Sequence, residues 1–540
     1  MMADSSEKMV VQPVYDEHGR LYYPLVNAPS EKNLTAICYK VPNRVIPVIF
    51  LPGVMGSNLQ AENGDSVWNV DGLGSLWEWM INGAETRKKL LDPENTEVDS
   101  RGRVDDNDKE GPKFPSRKER GWGQVAYMSY GEFLSWLQAA LDDQDELLHN
   151  RLNKTGKQTL RQQLELMDLQ AEMGEEKLSL NEIKLSYQYQ FPVHAMGYNW
   201  LQSNVESAKN LADYIGKIVK DYKRRGQPCE KVILVTHSMG GLVARHCSEV
   251  LGKRNDILGI VHGVMPTYGS PMAYKRMKAG ENGIVGLVIG IDGAQLTPVM
   301  AQSPGPLQLL PGLRYGTGWL QIKDGRTLYT LPKRDPYEEI YLQRDKWWGL
   351  CEERLINPAN EKQNPAIMQA DWDKYHDTLS TKVRPFIEGL NGRYHSNTYA
   401  FYGNSMKYRS YGVVRWVVRT QVNRGDDPGL AFNSPVYDPY NNHFAGTRMV
   451  GYSTEPNKPN DHSHLKAFAI ADPQQPGDGT VPVESGKFAA SGLHSLLGVE
   501  VDHEGAYKTD NTEDTRWFTL RAIIKIAQSV KQTSLAYPDE

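Results

Sequence analysis

Val232-Ile233-Leu234-Val235-Thr236-His237-Ser238-Met239-Gly240-Gly241 decides how this chain folds. Four apolar residues with high strand propensity read as a short buried strand. After the turn, Leu242, Val243, Ala244 and Cys247 continue at helical spacing to about Gly252. Upstream, Ser203 reads as an N-cap with Glu206 three residues on, a capping-box pattern. The helix it opens carries the stripe Val205, Ala208, Ala212, Ile215, Val219 and Tyr222, and Lys223-Arg224-Arg225-Gly226 closes it. Ile257–Val261 is a further apolar strand, and Val45-Ile46-Pro47-Val48-Ile49-Phe50-Leu51 is a continuous apolar run stopped by Pro52-Gly53. Thr398–Tyr402 and Gly498–Val501 supply late strands, and Trp517, Leu520, Ile524 and Ala527 mark a terminal helix. Strands alternating with helices in this way predict a parallel α/β sheet.

The remainder of the 540 residues divides around that frame. Residues 1–40 read as an N-terminal extension; 41–60, 186–270 and 396–530 as the α/β core; 61–185 and 271–395 as two insertions; 531–540 as a tail. The first insertion is rich in Trp (Trp68, Trp77, Trp79, Trp122, Trp136), which reads first as core packing, with membrane contact as the sharper alternative. Leu160, Leu164, Met167 and Ala171 predict one helix within it. In the second, the run Gly283–Gly293 reads as an ordinary buried element, with a mobile apolar lid face as its alternative. The net charge of −5 and the lack of a Lys/Arg block argue against nucleic acid as a partner. The longest strongly apolar run, Ile284 to Ile291, is too short to span a bilayer, which takes ~20 residues. Cys38, Cys229, Cys247 and Cys351 form no C-x-x-C pair. The first residues show no basic region followed by an apolar stretch, so synthesis in the cytoplasm without a Sec signal is expected.

A serine hydroxyl becomes a nucleophile when a neighbouring base takes its proton. A sharp strand-to-helix turn lifts the oxygen of Ser238 out of the sheet and needs small neighbours. The pattern is G-x-S-x-G with Thr236 in place of the first glycine. In this geometry the chain order is serine, acid, histidine. Gly477-Asp478-Gly479-Thr480-Val481-Pro482 offers Asp478 in a tight loop, and His503 follows the run ending at Val501. Asp472 and Glu484 compete for the acid and His494 for the base; His237, beside the serine, should point elsewhere. The loop Pro52-Gly53-Val54-Met55-Gly56-Ser57 is placed to give one backbone N–H, from Val54, to an oxyanion hole, with Met239 giving the other.

At these residues the chain resembles the α/β-hydrolase lipases, nearest to the lecithin:cholesterol acyltransferase-like and GPI inositol-deacylase-like branch. Leu51 to Leu59 followed by Val67-Trp68, the turn around Ser238, Ser303-Pro304 to Pro311, and the Gly477–Pro482 block with His503 carry the resemblance. It implies an α/β-hydrolase fold with two large cap insertions, a Ser238–Asp478–His503 triad, and hydrolysis or transfer of lipid acyl esters. A second resemblance is to type VI secretion lipase effectors, which implies export to a target cell's membrane, a secretion-apparatus partner and an immunity protein. The alternatives are an esterase or acyltransferase on other acyl substrates and a catalytically silent hydrolase fold that binds a partner. The chemistry requires no metal or organic cofactor. Asp426-Asp427 and Asp438-Pro439-Tyr440-Asn441-Asn442 are oxygen-rich but fit no EF-hand loop, so calcium has no support there.

Overall fold

Six strands pair in parallel into a central sheet: β1 (Val48–Leu51), β2 (Val193–Ala195), β3 (Val232–His237), β4 (Ile257–Gly263), β5 (Thr398–Gly403) and β6 (Leu493–Val499). Their spatial order is β6-β5-β4-β3-β1-β2. A computed structural model describes residues 7–538 apart from 12, 17–18, 25–33, 39–40, 70, 72–81, 106–110, 153, 168, 170–172, 174, 282–289, 423–427, 436–445, 456–463 and 509–512. The run Gly283–Gly293, Trp77, Trp79, Ala171 and both oxygen-rich stretches lie wholly or mostly outside the described residues.

The apolar runs are continuous because both faces of the sheet are covered. Ile49 and Leu51 of β1 and Val232 and Leu234 of β3 enter one core cluster. They meet Ala208 and Leu211 of helix α2 (Asn204–Arg224) and Val243 of helix α3 (Gly240–Arg245). Val48, Phe50, Ile233 and Val235 point to the other face. There they meet Phe133, Leu134 and Leu137 of helix α1 (Tyr127–Leu141) and Phe518 and Ile523 of helix α5 (Glu513–Ala527). Helices on both faces of a parallel sheet, with a serine turn after β3, are the α/β-hydrolase core predicted from the sequence. Helix α1 comes from the stretch 61–185, which thus furnishes part of the second face.

Local signals behave unevenly. Ser203 Oγ caps α2 by accepting the Val205 N–H at 3.3 Å, but Glu206 pairs with Lys209 at 2.8 Å instead of completing the box. The helix predicted around Leu160 is only Leu160–Gln163 followed by a tight turn over Leu164–Leu166, with Met167 extended. Leu160, Leu164 and Met167 do pack against the core on the second face of the sheet, but Met167 does so from extended backbone rather than from a continued helix. Trp68 and Trp122 are buried, and Trp136 stacks edge-on against Trp517.

A second, mixed sheet of five strands stands beyond helix α4 (Pro271–Ala279). It draws Leu320–Asp324 and Thr327–Leu331 from one stretch and Val414–Val422, Thr447–Tyr452 and His464–Ile470 from another. Trp347 stacks on Phe468 and meets Trp416 edge-on at its centre. A buried ionic knot ties α4 to this layer. Lys278 Nζ donates to Glu352 Oε1 at 3.0 Å, and Arg448 Nε donates to the same oxygen at 2.6 Å. Among the described residues no helix is long and apolar enough to cross a membrane.

Candidate active site

The strand order reverses between β1 and β3. The chain leaves β1 toward β2 on one side and returns to build β3, β4, β5 and β6 on the other. A crevice opens at the carboxyl ends of strands at such a switch point. Register places Thr236 opposite Leu51, so the turns after β3 and β1 face each other.

Ser238 sits at φ +50°, a left-handed conformation unusual for a side chain with a Cβ. The turn persists because its surroundings require it. The Ser238 N–H donates to Gly263 O at 2.9 Å. A Cβ on Gly240 would lie 2.5 Å from Pro52 O, so only glycine lets the two turns close on each other. Thr236 occupies the position where the motif has glycine, and its side chain points along the sheet rather than into the helix. Its hydroxyl is 2.9 Å from Nδ1 of His262, its cross-strand partner on β4.

Asp478 and His503 meet Ser238. Oδ1 of Asp478 accepts the Thr480 N–H at 2.9 Å and the Val481 N–H at 2.6 Å, which fixes the carboxylate plane. Oδ2 accepts from His503 Nδ1 at 2.8 Å. With that nitrogen the donor, the lone pair of Nε2 faces Ser238 Oγ, also at 2.8 Å. Asp478 is buried, and a Cβ on Gly403 would lie 2.5 Å from its Cβ, so strand β5 gives the acid its space. The rivals lie elsewhere: His494 is exposed and bonds Ser396 O at 3.2 Å, and neither Asp472 nor Glu484 bonds His503.

The loop after β1 turns at Gly53–Gly56, with Met55 at φ +65° and the Gly56 N–H donating to Gly53 O at 3.0 Å. Tyr198 Oη donates to Pro52 O at 2.8 Å, and Trp68 Nε1 donates to Met55 O at 2.9 Å. Val54 lines the same cavity as Ser238, and Met239 is the buried residue that opens α3. Among the described residues neither backbone N–H is engaged by a protein acceptor.

Two residues that sequence reasoning passed over stand at this centre. His237 points away from Ser238 Oγ but not away from the site: its Nε2 is 2.8 Å from the carbonyl oxygen of His503. Tyr130 of α1 is 2.9 Å from His237 Nδ1 and accepts the Gly53 N–H at 3.2 Å. Burial, then the neighbouring His503 ring, pushes His237 down to about 3. The dipeptide Thr236-His237 carried no signal of this, because Tyr130 is 107 residues away.

Above Ser238 a cavity of about 340 Å³ opens, walled by Trp68, Leu91, Trp200, Met272, Leu296 and Val299. Arg276 and Lys508 also line it. The segment Ser303–Pro311 contributes Pro306 and Leu309 to the wall, held by Gln308, which donates to Ser203 Oγ at 3.0 Å and Lys382 O at 2.9 Å. Among the described residues no cluster of three or more His, Cys, Asp or Glu could hold a metal ion.

Comparison with known proteins agrees with this architecture. Residues 172–283, which carry α2, β3, Ser238 and β4, match the PGAP1-like alpha/beta domain family. The chain is similar to a chain in the crystal structure of a Tle4–Tli4 complex, with 28% identity over 89% of this chain and 98% of that one and a TM-score of 0.70. Phospholipase PlaB from Legionella pneumophila matches at 13% identity over 62% of this chain and 78% of that one, with a TM-score of only 0.15. No curated protein sequence matches.

Proposed function

We propose that this PGAP1-like α/β hydrolase is a serine lipase that cleaves acyl esters of membrane phospholipids through an acyl-enzyme. The observation that carries the reading is Ser238 Oγ, 2.8 Å from the Asp478-held His503 ring, at the floor of an apolar cavity of about 340 Å³. A cavity of that size and lining takes an acyl chain, not a polar metabolite.

Ser238 Oγ attacks the ester carbonyl as His503 Nε2 takes its proton. Asp478 stabilises the imidazolium and holds the ring. The oxyanion faces the N–H groups of Val54 and Met239, each worth ~3–4 kcal/mol in comparable sites. The tetrahedral adduct collapses, the bond to the leaving oxygen breaks, and His503 returns its proton to the departing alcohol. Water then adds to the acyl-enzyme with His503 again the base, releasing the fatty acid and restoring Ser238. This chemistry calls on no metal or organic cofactor.

The near-full-length likeness to the Tle4 chain supports a further reading. The protein would act on the membrane of a target cell, delivered by a secretion apparatus. A cognate immunity protein would protect the producer, as the Tle4 chain was solved with a second protein, Tli4.

The test is fatty-acid release from mixed phospholipid vesicles by wild type and Ser238→Ala, with a short-chain soluble ester in parallel. Release by wild type alone is expected. Turnover of the soluble ester without vesicle hydrolysis would mark a small-substrate esterase, and equal release by both proteins would remove Ser238 from the chemistry.

A further inference from the structure

We infer that Tyr130 and His237 are positioning residues, forming a hydrogen-bonded relay that locks the oxyanion loop at Gly53 to the backbone of the base His503. The inference rests on the reading of Ser238 and His503 as nucleophile and base.

Every proton in the relay is assigned by its neighbours. The carbonyl of His503 only accepts, so the nitrogen 2.8 Å from it, His237 Nε2, carries a hydrogen. A neutral imidazole then presents Nδ1 as acceptor, and the Tyr130 hydroxyl 2.9 Å away donates to it. That leaves the phenol oxygen to accept the Gly53 N–H at 3.2 Å. The chain Gly53 N–H to Tyr130 O–H to His237 to His503 O therefore runs in one direction, and each bond polarises the next. Both side chains are buried, so water is a poor substitute for any link.

The consequence lies in what each end carries. Gly53 precedes Val54, the residue proposed above to give one N–H to the oxyanion and a lining residue of the cavity over Ser238. His503 has its backbone held from both sides: its N–H donates to Asp478 O at 2.8 Å, and its carbonyl receives His237. The oxyanion loop and the base loop are about 450 residues apart in sequence, and the relay is a direct polar link between them. Glycine at 53 is part of the device, because a Cβ there would lie 2.7 Å from His237 Nδ1 and 3.0 Å from Ser238 Cβ. A buried histidine satisfied only for stability would not require its two partners to be the two halves of the catalytic centre.

The experiment compares wild type with Tyr130→Phe, His237→Leu, His237→Gln and Ser238→Ala. It reads kcat and KM on a short-chain soluble ester, the second-order rate of labelling by a fluorophosphonate, and Tm. Misplacing a base or an oxyanion donor by up to about 1 Å costs about 10- to 100-fold. Tyr130→Phe and His237→Leu should therefore lower kcat and the labelling rate by about that factor with KM held within about twofold. His237→Gln, which keeps an N–H for the His503 carbonyl, should recover to within about threefold of wild type. Should His237→Leu not fold, the isosteric Tyr130→Phe alone decides. Wild-type kcat and labelling in Tyr130→Phe and His237→Leu, with Ser238→Ala inert, would overturn the relay and leave the nucleophile in place. Activity surviving in Ser238→Ala would instead overturn the reading on which the relay rests.

Discussion

Asp478 holds His503 twice: its carboxylate accepts the ring Nδ1–H at 2.8 Å, and its backbone carbonyl accepts the His503 N–H at 2.8 Å. The two bonds separate position from charge. Asp478→Asn keeps the backbone bond, so the loop stays in place, but the amide can donate to Nδ1 and stabilise the wrong tautomer. The proton then sits on Nε2, facing Ser238. We expect kcat on a soluble ester to fall by about 10³–10⁴, with a melting temperature near that of wild type. Steady-state kinetics beside a thermal melt checks this; a loss of less than about tenfold would remove Asp478 from the role.

Arg276 lines the cavity from α4, with its Nε 2.5 Å from Glu281 Oε2 and its Nη2 3.4 Å from Thr480 Oγ1. Glu281 also meets Lys275 at 3.4 Å, so this group of three carries one net positive charge at the cavity wall, which Lys508 and Glu504 also line. A phosphodiester headgroup is the part of a phospholipid that would use it. Arg276→Gln should raise KM for phospholipid about tenfold, the worth of one charge-assisted hydrogen bond, and leave kcat on a neutral short-chain ester within about twofold. Matched kinetics on the two substrates decides, and an equal effect on both would assign Arg276 to the wall rather than to the headgroup.

What could be read in the sequence was what is local. Val232 to Gly241 declares a buried strand, a tight turn and a helix within ten residues, and Gly477 to Pro482 declares an acid in a glycine-bounded loop. Thr236 was the discordant residue. Its fit depends on His262, which is 26 residues on and adjacent only through strand register. Tyr130 was invisible for the same reason. Membership of the second sheet was also illegible: nothing local in the strands at 320–331 and 414–470 states which sheet they join. The stripe at Leu160 misled because periodicity records which residues face the core and not the backbone that carries them: Leu160, Leu164 and Met167 all pack on the core, yet the helix ends at Gln163.

Glu352 forms ion pairs with Lys278, Arg448 and Arg354, and the side chains of Glu352, Lys278 and Arg448 are buried. Removing it takes away the carboxylate these cations share in a site that water does not reach. Glu352→Ala should destabilise the protein by about 3–5 kcal/mol, whereas the surface pair Lys209–Glu206 should be worth less than about 1 kcal/mol. Denaturant unfolding of Glu352→Ala and Glu206→Ala side by side measures the contrast. Because Met272, Ala273 and Arg276 of the same helix line the cavity, Glu352→Ala should also lower vesicle hydrolysis at temperatures below its melt.

Acid should unfold this protein through its buried histidines. Burial holds His194 well below its ordinary value and pushes His237 and His262 down to about 3. In the unfolded chain each titrates near ~6.5. Between those limits the unfolded chain binds protons that the folded chain refuses, so stability rises with pH. Above the unfolded value all three are neutral in both states and contribute nothing; as pH falls from about 6.5 toward 3, stability is lost at ~1.4 kcal/mol per pH unit for each of His237 and His262, and His194 adds to the loss in the same direction. Urea unfolding of wild type and His237→Gln between pH 4 and pH 7 isolates one of them. The variant, relieved of one such group, should lose stability less steeply by about 1.4 kcal/mol per pH unit, while the two curves run parallel above pH 7. Parallel curves throughout would mean that His237 takes up its proton in the folded state, and the neutral tautomer that donates to His503 would then not persist.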